Sequence, residues 1–217
     1  YIYLVLPAVF TTGCFSSAVA EEVNLYTARK EHLIRPLIDI FENDTGIKVN
    51  ILTAKTKVLI KKILDEGKNN PADLLITVDA GNLHDAKLKN ISQKIDSNLL
   101  NQLVPKNLRD TDGHWYGLSV RSRVIMYNPT AINPKEVMNY ENLADDNLAG
   151  RVCIRSSSNI YNQSLLASLI FHKGDEAALD WAKGVVKNFS REPKGNDRGQ
   201  MTAVVLGKCD VCLLYTS

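Results

Sequence analysis

Few side chains in this sequence are spaced so that they could do chemistry. Ser156-Ser157-Ser158-Asn159 stands directly before a helical pattern. Hydroxyls and free amides at a helix start can hold an oxyanion, or serve simply as N-caps. A nucleophilic serine would want a G-x-S-x-G elbow, and none is present. Arg121 and Arg123 flank Ser122 on an extended segment, where they are expected on opposite faces, one of them turned to a ligand. A guanidinium there would hold a small anion or an acidic neighbour; Arg123 is preferred over Arg121. The histidines, His32, His84, His114 and His172, show no H-E-x-x-H or comparable metal spacing.

The sulfur chemistry is structural. Cys209-Asp210-Val211-Cys212 has C-x-x-C spacing, but no second cysteine pair completes a zinc site. Cys153 and Cys209 each begin a strand pattern, after Gly150 and Gly207, so neighbouring strands could bring them within bridging reach. A Cys153–Cys209 disulfide is expected, with Cys212 buried and free.

Bulk composition narrows the function further. Of 217 residues, 45% are apolar and 23% charged, which suits a globular protein and excludes a disordered one. Twenty-six Lys and Arg against 24 Asp and Glu leave a formal charge of +2, too little for a broad nucleic-acid-binding face. Residues 1–20 carry no charge, begin with an apolar run and end in Ala18-Val19-Ala20. This reads as a partial signal peptide cleaved after Ala20, and so as export to the periplasm. Thr12-Gly13-Cys14 offers a rival lipoprotein reading, with anchoring through Cys14.

The elements that must position these groups alternate strand and helix. Val23–Tyr26, Ile47–Ile51 and Leu74–Thr77 read as strands, the last as a fully buried parallel one. Helices are expected around residues 33–41, with Pro36 near the first turn, and over 56–65. A second series follows: extended stretches at 114–120 and 124–128, a strand at 152–154, helices at 161–171, 175–188 and 200–206, and a last strand at 209–214. The expected fold class is α/β, in two lobes with a ligand between them: residues 21–121, then 122–217.

Several strings resemble one family. Leu25-Tyr26-Thr27-Ala28-Arg29, Phe41 to Val49, Pro71 to Gly81, Arg121 to Tyr127, and above all Cys153-Ile154-Arg155-Ser156-Ser157-Ser158-Asn159-Ile160-Tyr161-Asn162-Gln163-Ser164 are similar to the periplasmic ferric-iron-binding proteins of ABC transporters. The likeness runs from about Val23 to Val211. It implies a type II periplasmic-binding-protein fold, with the second lobe and the return to the first incomplete in this sequence. It also implies Fe3+ as the transported ligand, possible help from a synergistic anion such as carbonate, and a membrane permease as partner of a monomeric carrier.

The resemblance makes Tyr161 an iron ligand and turns an arginine of the Arg121–Arg123 motif toward the iron. Fe3+ is a hard cation that favours anionic oxygen, so a phenolate is a chemically apt donor. Two departures stand out. Where many members carry a histidine or His-Tyr after the first arginine, this chain has Arg29-Lys30-Glu31-His32. The family's adjacent tyrosine pair would begin at Ser217, and Tyr215, two places earlier on the same strand face, is a poor stand-in. The same fold could instead bind thiamine, a polyamine (Asp79 and Trp115 offering themselves) or an oxyanion; a secreted hydrolase is the remaining alternative.

Overall fold

The computed structural model describes residues 21–215; the expected signal peptide, its cleavage site and Cys14 lie outside them. The chain forms two compact units, one up to Ile76 and one from Thr77 onward.

In the first unit, β1 (Glu22–Thr27) lies between β2 (Lys48–Thr53) and β3 (Leu74–Ile76), all parallel. Helices α1 (Glu31–Thr45) and α2 (Thr56–Glu66) make the crossovers that parallel neighbours require. Ile34 and Ile38 of α1, one turn apart, close over Leu25 and Val49. Gly46 ends α1 at φ 72°, a left-handed conformation in which its amide reaches the Glu42 carbonyl. Two expectations are corrected here. Pro36 sits inside α1, because the helix already starts at Glu31. Leu74 is 47% exposed, so β3 is not the fully buried strand its apolar run suggested.

The second unit is built on a three-stranded sheet of order β4-β6-β5. β6 (Val211–Tyr215) runs antiparallel to β4 (Arg123–Tyr127) and parallel to β5 (Val152–Cys153). Alternation along β6 supplies both faces of this sheet. Val211 and Leu213 join Val152, Leu165, Leu169, Ala178 and Val185 in the larger core. Cys212 and Leu214 face the other way, against Ala203 and Val204 of α7 (Asp197–Val205). Helices α5 (Ile160–Lys173) and α6 (Asp175–Lys187) cover the larger core. The contact beneath α6 is close: a Cβ on Gly184 would stand 2.7 Å from that of Ala144.

Two further helices escape the sequence pattern, α3 (Ala80–Leu88) and α4 (Asn98–Leu103). They start on side-chain caps, Asp79 accepting from the Gly81 amide and Ser97 from that of Leu100, rather than on an apolar stripe. The division at Ile76 also differs from the expected boundary at 121. The first sheet closes with β3, and Asp79 is tied to the second unit by accepting the Ser164 hydroxyl of α5 at 2.7 Å. Cys153 and Cys209 form a disulfide with Cα atoms 5.8 Å apart, and Cys212 is a buried free thiol.

Candidate metal centre

Tyr161 enters the site because β5 ends at Cys153 and the chain must turn before α5. Asn159 caps that helix, its Oδ1 accepting from the Tyr161 amide at 3.1 Å. Asn162, the next residue, staples the turn beneath: its Nδ2 donates to the carbonyls of Arg155 (2.8 Å) and Ser156 (3.1 Å). Its Oδ1 accepts from Nη2 of Arg123. The serine run folds on itself, with Ser156 and Ser158 hydroxyls 2.9 Å apart, and Ser157 offering its carbonyl to Gln163. These serines build the turn that presents Tyr161.

The structure gathers all four side chains singled out for binding. The rings of Tyr161 and Tyr215 stand 4.4 Å apart between centroids, tilted by 59°. Arg121 donates from Nη1 to the Tyr161 hydroxyl at 3.4 Å, and its guanidinium carbon is 5.9 Å from the Tyr161 ring and 5.5 Å from that of Tyr215. The Arg123 guanidinium lies 5.3 Å from the Tyr215 ring. The two arginines therefore do not face apart as expected. Residues two apart in an extended chain share a face, and both guanidiniums reach Tyr215.

Sequence reasoning passed over Arg155 and Asp197. Arg155 follows β5 by two residues and sets its guanidinium 5.3 Å from the Tyr161 ring. Asp197, the first residue of α7, accepts from its Nη1 at 3.0 Å. A signal was available: Arg155 stands at the strand's carboxyl end, where α/β sheets place their sites.

Three guanidiniums around two phenols make a positive cluster with unspent hydrogen-bond donors. Nε and Nη1 of Arg123 and Nε of Arg155 are buried without a partner. Burial pulls the Arg123 guanidinium below its ordinary value, with nearby Tyr215 and Asp197 opposing the shift. Burial likewise pushes the Tyr215 hydroxyl up, the negative charge of Asp79 adding to it and Arg123 opposing. Among the described residues, no group of three His, Cys, Asp or Glu is placed to hold a metal ion. The oxygen donors that the described residues gather here are phenols. The histidines stay apart: His32, His84 and His172 are exposed, and His114 bonds the Ser92 carbonyl at 3.0 Å.

A site carried on the turn after a strand, ringed by donors and lined by phenols, defines a solute-binding protein of α/β type. The chain belongs to the bacterial extracellular solute-binding proteins, whose family model matches residues 69–211. Iron uptake protein A1 of Synechocystis sp. is 48% identical over 196 residues, covering 90% of this chain and 54% of that one. Among solved structures, Trichodesmium FutA (IdiA) in complex with iron and citrate is 47% identical with a TM-score of 0.85, covering 90% of this chain and 62% of that one. The ferric binding protein of Campylobacter jejuni, 39% identical, superposes with a TM-score of 0.84 over 89% of this chain and 62% of that one. The fold is thus that of the type II periplasmic binding proteins. The chain spans about half the length of the curated relatives it matches.

Proposed function

We propose that this chain belongs to the periplasmic substrate-binding component of an ABC importer, a monomeric carrier rather than an enzyme, which takes up ferric iron and delivers it to a membrane permease. Tyr161 is the metal ligand contributed by the described residues, with Tyr215 beside it as a lesser candidate. The observation that carries this reading is the placing of the Tyr161 phenol, on a stapled strand-to-helix turn, among three guanidiniums. An iron uptake protein at 48% identity and a FutA structure holding iron and citrate at 47% support the choice of ion.

Chemistry accounts for the odd pairing of a cation with arginines. Bare Fe3+ would be repelled by three guanidiniums, so it must arrive with, or acquire, anionic oxygen. Phenolate supplies part of that charge. A synergistic anion such as carbonate, or a carboxylate ligand like the citrate of the Trichodesmium complex, supplies the rest. The buried, unpartnered N–H groups of Arg123 would receive such an anion, with Arg121 beside them. The protein is exported by residues 1–20 with cleavage after Ala20, and anchoring through Cys14 is the alternative that mass spectrometry of the mature N-terminus separates.

The deciding experiment is Tyr161→Phe in the intact gene product, which keeps the ring and its packing but removes the donor oxygen. Wild-type protein should colour with Fe3+ through phenolate-to-iron charge transfer, and its binding should weaken as pH falls and protons compete for the oxygens. The variant should lose iron affinity by orders of magnitude and lose or shift the colour, while folding normally. Equal affinity with an unchanged spectrum would refute the assignment. The same guanidiniums also favour a second reading, a carrier of a plain oxyanion. Calorimetry with the anion alone, without iron, separates the two: tight binding of the anion by itself and no metal dependence would favour the second.

A further inference from the structure

We propose that the Arg155–Asp197 pair is a positioning element for Tyr161, holding its ring and setting the strength with which the phenolate oxygen is felt by a bound metal. The proposal rests on the reading of Tyr161 as a ligand. The geometry behind it adds a third guanidinium to the Arg121–Arg123 motif, from the end of another strand. Arg155 reaches the Tyr161 ring from the carboxyl end of β5, with its guanidinium carbon 5.3 Å from the ring centroid. Both members of the ion pair keep less than a fifth of their side-chain surface exposed, at 18% and 19%. Solvent therefore screens this pair less than the exposed i,i+4 pairs of α1 and α2.

Arg155 is held at one guanidinium nitrogen and at its carbonyl. Asp197 fixes Nη1 from the first turn of α7, where the helix N-terminus favours a carboxylate. Asn162 fixes the Arg155 carbonyl, and Asn162 adjoins Tyr161 in α5. Nε is buried and makes no hydrogen bond. The guanidinium is thus fastened at one nitrogen and by its backbone, and its near neighbour is an aromatic ring.

A cation beside an aromatic ring is attracted by the ring's π-electrons. That attraction grows when the phenol becomes a metal-bound phenolate, because negative charge spreads into the ring. Once a co-bound anion has offset the charge of Fe3+, Arg155 therefore favours the metal-bound form over the empty one. It also lowers the energy of the phenolate electrons that absorb light in the charge-transfer band. Removing the guanidinium should raise those electrons, move the band to longer wavelength and loosen the metal.

The test is carried out in the intact protein loaded with Fe3+ and citrate. Arg155→Met keeps much of the chain length but not the charge; the iron band should move to longer wavelength and affinity should fall about 2- to 30-fold, the range a partly desolvated cation–ring contact spans. Asp197→Asn keeps the guanidinium but frees it, and should shift the band the same way by less. Arg155→Lys restores a cation and should recover part of the shift. Thermal midpoints of the iron-free variants separate misfolding from tuning, since a purely structural role would lower the midpoint and leave the band of the surviving fraction where it was. An unmoved band in both Arg155→Met and Asp197→Asn, with Tyr161→Phe still abolishing the colour, overturns the proposal and leaves the ligand reading standing. A colour that survives Tyr161→Phe overturns both.

Discussion

Removing the Cys153–Cys209 disulfide should cost the second unit about 4 kcal/mol. The bridge closes a loop of 56 residues, and the chain-entropy relation for a loop of that length gives about 4 kcal/mol at 25 °C. Two local contacts go with it: Arg191 Nε donates to the Cys153 sulfur at 3.1 Å, and the Ser190 hydroxyl lies 3.4 Å from that sulfur. The variant must be the double Cys153→Ala, Cys209→Ala. A single Cys209→Ala would leave Cys153 in register with Cys212 on the neighbouring strand, free to form a new pair. Both tryptophans, Trp115 and Trp181, belong to the second unit, and Trp181 packs against its larger core, so fluorescence in urea reports on the right transition. At a urea slope of about 2 kcal/mol/M the midpoint should fall by about 2 M. A fall of less than about 0.5 M at unchanged slope would refute the loop-closure argument. It would mean that the bridge fastens ends already held together by the pairing of β5 with β6.

Two further outcomes follow from buried polar groups. Asn188, fully buried after α6, donates to the carbonyls of Leu143 (2.9 Å) and Asp145 (2.8 Å). Asn188→Ala removes both bonds, though the Asp145 carbonyl keeps the Leu148 amide, and should cost about 1–3 kcal/mol in the same urea assay, a loss under about 0.5 kcal/mol being incompatible with these bonds. Burial pushes the Cys212 thiol from its ordinary value near 9 to about 12, so the folded protein should resist alkylation at neutral pH. Because its folded value lies above the unfolded one, the stability it contributes is complete below about pH 9 and is lost as pH rises from there toward 12. Cys212→Ala should flatten that alkaline decline, and an identical decline in the variant would show that another group causes it.

How far the sequence could be read depended on which force set each element. The strands and the longer helices α1, α2, α5 and α6 were legible because an apolar stripe or a continuous apolar run marks each. Helices α3 and α4 were not, since their starts are fixed by single capping side chains, and α3 begins after Asp79 at φ 71°, a backbone state no periodicity announces. The division at Ile76 falls where β3 ends, and no apolar pattern marks the long-range bond that follows it, from Ser164 to Asp79, 85 residues apart in sequence. At the site, the strand-to-helix turn and its tyrosine could be found from their motif. Asp197 could not, because its part in the site depends on how α7 lies beside β6. The relation of Arg121 to Arg123 was within reach of strand geometry alone, and the period of two places them together.

The central place of β6 in its sheet bears on the order in which the chain can assemble. β4 and β5 are not neighbours; within the sheet each pairs with β6, the last of the three to leave the ribosome, and β5 has besides only a single bridge, from Val152 to Phe189. Until Val211–Tyr215 emerges, both earlier strands expose the edge that β6 will occupy. The first unit differs, because its central strand is made first and its neighbours add in turn. Synthesis should therefore leave a folded first unit trailing a long, sticky and unfinished second one, a state that invites aggregation and that chaperones are suited to guard. Pulse-labelled nascent chains halted before residue 211 should be protease-sensitive throughout the second unit, and chains that expose β6 should become resistant over β4, β5 and β6 in a single step.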